Sequence, residues 1–563
     1  MSAAKNAWRL GLSNTGHDGA VALVDPSGVL VFAESVERET QCKMAWGIRP
    51  DRPEILSRLR RFLGPDAADL AAATSWSRTI SEEDLSRPGP FVDAATFAWL
   101  AHGQRLAFDR YEPSIAHAFD LDQAPETSRF DHHACHAAYA CAASPFDTAV
   151  CLVVDGEGEE GAVSVFDYAG GKIERRWRAL GRASIGGFYA WLTGLCGFSF
   201  LKGEEWKVMG LAACGTPRED WTAELSRTLH FVRGRPTQGR EAEAITARFE
   251  TLAASLDEAG RADLAASGQA AFAGFMTAII ETLEFAPGAP RNLVLTGGCA
   301  LNSSFNGRIE ERGLVDALFV PSAPADDGNA IGAALLSWAA ANPDRPLSKA
   351  LDWGLPAPFY GTDAASTGIE DIDPDHVPGR VTALSGDGPE RVARLIAEGK
   401  IVGVMRGRAE FGPRALGHRS ILADPRDPEM KDRINARVKR REGFRPFAPA
   451  ILEDRTADWF DIATPSPFMA TTRRWKPHAA ARVPAVVHDD GTGRLQTVSA
   501  ESDPWFHALI SAFEAETGVP IVLNTSLNVM GKPIVHAVSD ALAVYAGTGL
   551  DALVVENLLI EKT

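Results

Sequence analysis

The sequence predicts an α/β protein in two domains, the first built by duplication, and three observations lead there. The chain has 563 residues, more than one hydrophobic core normally serves. A short pattern occurs twice in its first third, GAVALVDPSGVL at Gly19–Leu30 and GAVSVFDYAGGKI at Gly161–Ile173. Each copy sets Gly-Ala-Val before alternating residues, an Asp six positions after the Gly, and a Gly-containing turn, which is the mark of a repeated hairpin. A stretch rich in Pro, Gly and Asp, 346–388, then separates two differently patterned regions and reads as an irregular bridge.

The elements follow in order. Trp8–Leu12 is a strand, GHDG a turn, and AVALVD with VLVFAES a hairpin around Pro26-Ser27-Gly28. AVCLVVDGEG is a buried strand that ends in Asp155 and feeds the second copy of the pattern. Two strand–acidic-turn–hairpin units separated by helical stretches describe a duplicated domain of the actin-like phosphotransferase type, whose halves face a cleft lined by their hairpin turns. Ala262–Leu283 is Ala-rich with apolar residues at helical spacing and predicts a long packed helix. NLVLTGGCALNSSFN is a strand whose Gly297-Gly298 ends it against something approaching closely. ALFVPSAP is another strand, and ADDGNAIGAALLSWAAA a loop followed by a helix. The domains are therefore expected at 1–345, 346–388 (bridge) and 389–563, with the boundary near Ala383. The last region carries a helix at GPERVARLIAEGK, a strand at IVGVMRG, a basic section, and strands near AVVHDD, RLQTV, PIVLN and ALVVE.

Composition narrows the class. Apolar residues make up 45% and charged residues 23%, ordinary globular values. No uninterrupted apolar run approaches the ~18 residues of a membrane span, and the N-terminus lacks the layout of a signal peptide. A cytoplasmic protein without membrane partners is expected. Seven cysteines with no C-x-x-C pair fit reduced thiols. A net charge of −17 argues against broad nucleic-acid binding. Yet Arg406–Arg445 holds twelve Lys/Arg against six Asp/Glu, a basic island that is either a solvated face or a pocket for phosphates.

Two constellations carry chemistry. In DHHACHAAYA, His132 and His136 are four apart, one helical turn, so both imidazoles lie on one face where they can converge on a metal. Structural histidines share that spacing, but Asp155 and Asp326 sit at the strand-end and loop positions where an actin-like cleft holds metal and phosphate. Two His with one or two carboxylates suit Fe(II), Mn(II) or Zn(II). His133 is expected to face elsewhere, and Asp327 competes with Asp326. His17, on a Gly-flanked turn, is a candidate general base, or a loop histidine bonded to backbone. In the basic region, Arg408, Arg414 and Arg419 alternate with Gly407, Gly412 and Gly417, so amides and guanidinium forks can reach one anion. Lys439, Arg441 and Arg445 follow, the last between Phe444 and Pro446, and then Thr492, Arg494, Gln496, Asn524, Thr525, Ser526 and Asn528.

These motifs carry a resemblance. EFGPRALGHRSILADP, VKRREGFRPFAPAIL, DGTGRLQTV, LNTSLNVMGKPIV, KVMGLAACG and LVLTGGCALNS together resemble the NodU/CmcH/TobZ family of ATP-dependent O-carbamoyltransferases, from about Leu10 to about Glu561. The resemblance implies an N-terminal actin-like (ASKHA) domain, similar to threonylcarbamoyl-transferring proteins, and a C-terminal YrdC-like domain. It implies that ATP with Mg(II) and carbamoyl phosphate give carbamoyl adenylate, which passes to a hydroxylated small-molecule acceptor at an Fe(II)-type metal. Family acceptors include antibiotics, sugars, macrocycles and Nod-factor oligosaccharides. By motif, His132, His136, Asp155 and Asp326 match the metal ligands and His17 the base. Arg414, Arg419, Lys439, Arg445 and Ser526 match the ATP/carbamoyl phosphate site, and Lys207 and Asn302 the adenylate pocket. An oligomer is compatible with this reading. Cys214, Leu527 and Met530 depart from the usual pattern without removing a ligand. The competing expectations are a tRNA threonylcarbamoylation enzyme and a non-catalytic ATP-binding actin-like protein.

Overall fold

The computed structural model describes residues 6–13, 16–63, 69–79, 89–107, 111–181, 183–349, 358–443 and 445–562. Phe444, expected to flank Arg445, and 350–357 of the expected bridge lie outside them. The chain forms two compact units: Met1–Glu37, Met44–Asn302 and Ile309–Gly354 make the first, and Arg38–Lys43, Ser303–Arg308 and Leu355–Thr563 the second.

The first unit contains two five-stranded sheets of one topology. Strands β1 (Trp8–Ser13), β2 (Ala20–Val24) and β3 (Leu30–Ser35) form an antiparallel meander, and β4 (Leu70–Ser75) and β5 (Thr127–Phe130) add in parallel on the other side of β1, in the order β3-β2-β1-β4-β5. In the second sheet β6 (Thr148–Val154), β7 (Val163–Ala169) and β8 (Lys172–Arg178) repeat the meander. A separate ribbon, β9 (Leu229–Val232) with β10 (Arg235–Gln238), intervenes. Then β11 (Asn292–Thr296) and β12 (Ala317–Phe319) complete the order β12-β11-β6-β7-β8. The repeated sequence pattern falls on β2–β3 and β7–β8, the same two strands of each copy. This duplicated meander with two parallel crossover strands is the actin-like architecture.

In each copy the fifth strand leads to a helix, His132–Ala143 after β5 and Asn329–Ala341 after β12. Small residues let these helices press together: a Cβ on Gly332 would stand 1.9 Å from the Cys135 carbonyl oxygen. The expected long helix runs Glu258–Ile280. It is long and apolar enough to cross a membrane by length and composition alone, but 78% of its most apolar window is buried inside the molecule, so it serves as a core helix.

The second unit is built on a mixed sheet. Its strands are β13 (Arg380–Ala383), β14 (Val402–Met405), β15 (Arg419–Ala423), β16 (Ala448–Leu452), β19 (Gln496–Val498), β20 (Ile521–Ser526), β21 (Ala552–Val555) and β22 (Leu558–Glu561), while β17 (Thr472–Arg474) and β18 (Thr492–Arg494) pair separately. The order is β13-β22-β21-β14-β15-β20-β16-β19. Residues 358–388, expected as a bridge, belong to this unit. Phe359, Tyr360, Ala364 and Ile372 are buried and β13 pairs with β22; apolar anchors scattered among Pro, Gly and Asp show no period to read. The strand expected near AVVHDD is instead a 3-10 turn at Pro484–Val486, because Pro484 has no amide hydrogen for a ladder.

Candidate functional site

In the first unit the duplicated topology gathers four ligand-type side chains. His132 opens its helix: Asp131 caps it by accepting the Ala134 amide at 3.0 Å, and the His132 amide donates to the Glu159 carboxylate at 3.0 and 3.1 Å. One turn on, His136 brings its Nε2 to 3.3 Å from the Nε2 of His132. Asp155, just past β6, sets Oδ2 at 3.1 Å from both nitrogens. Its Oδ1 accepts the amides of Gly156 at 2.8 Å and Gly298 at 3.0 Å, so the carboxylate cannot swing away. Gly297 makes that approach possible, with φ at 90° and a hypothetical Cβ 2.3 Å from the Val154 oxygen. Asp326, in the turn after β12, puts Oδ1 at 3.3 Å from both Nε2 atoms. The first copy thus supplies both imidazoles and the second both carboxylates.

All four side chains are buried and their ligand atoms lie within 4.8 Å of one another. Bonds of about 2.1 Å place neighbouring ligand atoms roughly 3.0–3.4 Å apart, the range of the five separations above. The donor set therefore fits a divalent cation of the Fe(II), Mn(II) or Zn(II) kind. The charges agree with the geometry. Burial opposes every charge here, yet Asp326 and Asp155 raise His132 and His136 above the ordinary histidine range, and the two imidazoles hold Asp155 and Asp326 below the carboxylate range.

His17 lies between β1 and β2. Its Nδ1 is 2.9 Å from Asp18 Oδ2 and its Nε2 is 3.9 Å from Asp326 Oδ2. Burial lowers its pKa, but the bond to Asp18 and the charges of Asp18, Asp326 and Asp155 outweigh that and raise it to about 9. His133 turns away, Nδ1 to Ser164 Oγ at 2.7 Å, and burial with the neighbouring imidazole lowers it to about 3. Asp327 also turns away, accepting from Ser35 at 3.2 Å; burial, Asp18 and Glu37 raise it to about 7. Asp18 and Asn329, whose Nδ2 is 3.2 Å from His132 Nδ1, escaped the sequence reading; both sit beside residues it singled out, but nothing in spacing marks them.

Lys207 and Asn302 are buried in the same unit. Lys207 pairs with Glu204 at 2.9 Å and lies over the Phe198 ring. Asn302 exchanges two 3.0 Å bonds with Gln269, which accepts the Tyr189 hydroxyl at 2.7 Å.

In the second unit the expected cations gather, with two exceptions, the first being Arg408, which donates to the carbonyls of Gly361 (3.2 Å) and Tyr360. Lys439 ends a π-helical turn at Asn435–Lys439, and its Nζ donates to Ser526 O, Ser526 Oγ (3.2 Å), Asn528 O (3.3 Å) and Asn528 Oδ1 (2.7 Å). Burial, then Arg441, Arg445 and Lys43, push its pKa well down. Burial lowers Arg414 to about 10. Burial and Arg445 lower Arg441 to about 9. Arg494 is depressed by burial and then by Arg414, Arg441 and Arg445. Arg445 pairs with Glu442 at 3.1 Å. Arg441 and Arg494, both named in the sequence analysis, thus stand with Arg414 and Arg445 in one group.

Arg419 is the second exception. Fully buried, its guanidinium donates to the carbonyls of Arg406, His418, Thr362 and Gly407 at 2.8–3.1 Å. It fastens the glycine-rich loop, where an anion-binding role was expected, because a loop with so many inward carbonyls needs a fixed donor fork. Glu410 completes the fastening: Oε1 accepts the amides of Leu416 (2.8 Å), Arg419 (3.0 Å) and His418 (3.1 Å). Replacing Glu410 by Ala strands three amides in a buried loop, at about 1–3 kcal/mol each unless water enters. The expected result is a fall in melting midpoint larger than that of Glu410→Gln, which keeps an acceptor.

Comparison with known proteins follows the same division. Residues 99–335 match the family model for the carbamoyltransferase N-terminus and 393–562 that for the carbamoyltransferase C-terminus. Nodulation protein NolO of Bradyrhizobium diazoefficiens is 35% identical over 441 residues, covering 77% of this chain and 79% of that protein. Nodulation protein U of Sinorhizobium fredii is 34% identical over 569 residues, covering 92% and 93%. Among solved structures, full-length HypF in its phosphate- and nucleotide-bound form is 12% identical with a TM-score of 0.38, covering 61% of this chain and 47% of that one.

Proposed function

This chain belongs to the carbamoyltransferase family and is a carbamoyltransferase enzyme, and from that premise we propose that it makes carbamoyl adenylate from carbamoyl phosphate and ATP in a YrdC-like second unit, then transfers the carbamoyl group to a hydroxyl of a sugar or other natural product at the first. The observation that carries this is the arginine group: the charges acting on Arg494 are those of Arg414, Arg441 and Arg445, all positive. Like charges gathered in partly buried positions are costly and call for a polyanion.

Carbamoyl phosphate gives its phosphoryl group to water, leaving carbamate and phosphate. A carbamate oxygen attacks the α-phosphorus of MgATP, the bond to the α–β bridging oxygen breaks, and pyrophosphate leaves. Arg414, Arg441, Arg445, Arg494 and Lys439 hold the phosphate charges, and Ser526 offers a hydroxyl beside them. At the first unit the acceptor oxygen attacks the carbamoyl carbon, the bond to AMP breaks, and the proton passes to Nε2 of neutral His17 while Asp18 holds Nδ1–H in place; a cation on Asp326 and Asp155 would cancel two of the charges that raise this imidazole and so favour its neutral form. His132, His136, Asp155 and Asp326 would hold a divalent cation, which would polarise the carbonyl. Lys207 and Asn302 are assigned to the adenylate pocket. The test is pyrophosphate release from ATP and Mg(II): the reading expects it with carbamoyl phosphate, and release with bicarbonate plus threonine instead overturns it.

A further inference from the structure

We propose that Trp46 and Trp99 form the acceptor subsite, and that its occupant is a pyranose ring whose hydroxyl rim reaches His17. This rests on the transfer reading above and names the substrate class it takes. Three segments build the wall. The His17 turn and the Trp46 turn are knitted by backbone bonds, Asp18 N to Met44 O and Gly47 N to Gly16 O, both 2.8 Å. The helix Ala94–Ala107 passes beside them, with Gly16 so close to Gly103 that a Cβ would meet its backbone at 3.3 Å. Ring centroids step outward from His17 to Trp46 at 4.6 Å and from Trp46 to Trp99 at 5.1 Å.

Trp46 is fixed: its Nε1–H donates to the Leu201 carbonyl at 2.6 Å, and Met44 and Ala45 hold φ at 62° and 44° to present it. Trp99 is 50% exposed, so half of its surface stands open beside the Trp46 ring. The planes are tilted by 55° and 47°, so no parallel slot exists for a flat aromatic guest. A stepped pair of indole faces suits rings with an apolar C–H face and a hydroxylated edge.

The probes are cellotetraose, with flat equatorial linkages, and sorbitol, its open-chain counterpart. Wild-type protein should bind cellotetraose saturably and sorbitol not at all, with ring C–H protons receiving saturation transfer. Trp99→Ala should weaken cellotetraose binding at least 10-fold with little change in melting midpoint, since its ring is half in solvent, and Trp46→Ala should weaken it further. No saturable cellotetraose binding by the wild type, or equal binding by both variants, overturns the proposal. Pyrophosphate release is followed separately, so failure of the carbamoyl chemistry is distinguishable from failure of the platform.

A different observation carries a second inference: the geometry assigns Asn329 as a positioning residue for the metal ligand His132. Asn329 is fully buried; its Nδ2 faces His132 Nδ1 at 3.2 Å, while its Oδ1 has no hydrogen-bond partner among the described residues. An imidazole that gives its Nε2 lone pair to a cation must carry its proton on Nδ1. That proton needs an acceptor, and turning the Asn329 amide over supplies Oδ1, satisfying the orphaned atom too. Cobalt(II) titration followed by its visible absorption tests this without recourse to activity. Asn329→Leu should lose about 10–100-fold in affinity, and Asn329→Asp, which keeps an acceptor, should recover most of it. Wild-type affinity in Asn329→Leu, or weaker binding in Asn329→Asp than in Asn329→Leu, overturns the assignment.

Discussion

His132→Ala should abolish carbamoyl transfer to an acceptor while pyrophosphate release from ATP and carbamoyl phosphate continues. The imidazole removed faces three of the cluster's other ligand atoms at 3.1–3.3 Å. Its loss leaves Asp155, Asp326 and His136, too few donors to hold the cation in the same geometry. We expect transfer to fall by at least about 10³-fold, the scale of losing a charge-stabilising group in a reaction centre. Metal content after dialysis should drop in parallel. Equal losses in transfer and in pyrophosphate release would contradict a division between two chemistries.

The converse substitution acts on the second unit. Arg494→Met removes a guanidinium on which Arg414, Arg441 and Arg445 all act and replaces it with a flexible apolar side chain of similar length. Pyrophosphate release should fall by about 10²-fold or more, with metal binding unchanged. The same variant should melt no lower than wild type, and by relief of repulsion up to about 1–3 kcal/mol more stable. Added pyrophosphate should close that gap: it stabilises the wild type by linkage and the variant less. A variant that melts lower and still responds fully to pyrophosphate would show that Arg494 is structural.

Particular residues show what was legible in the sequence. The hairpin repeat was readable because alternation and turn chemistry are local, and it foretold the paired β2–β3 and β7–β8 strands. The imidazole pair was readable because helical spacing fixes which side chains share a face. Arg419 and Arg494 show the limit. Both follow closely spaced glycines, yet one is enclosed by backbone carbonyls and the other faces its own kind. Only contacts from distant parts of the chain separate them. Trp46 was silent for a related reason: its meaning depends on a turn knitted to the His17 loop from far along the chain.

Nitrogen donors come from one repeat and oxygen donors from the other, so neither repeat alone can retain the ion. Loading therefore acts as a cross-brace whose strength reports whether both halves have folded against each other. Stripping the ion with a chelator should loosen the amide hydrogens of β6 and of the helix at His132 together, before those of the mixed sheet downstream.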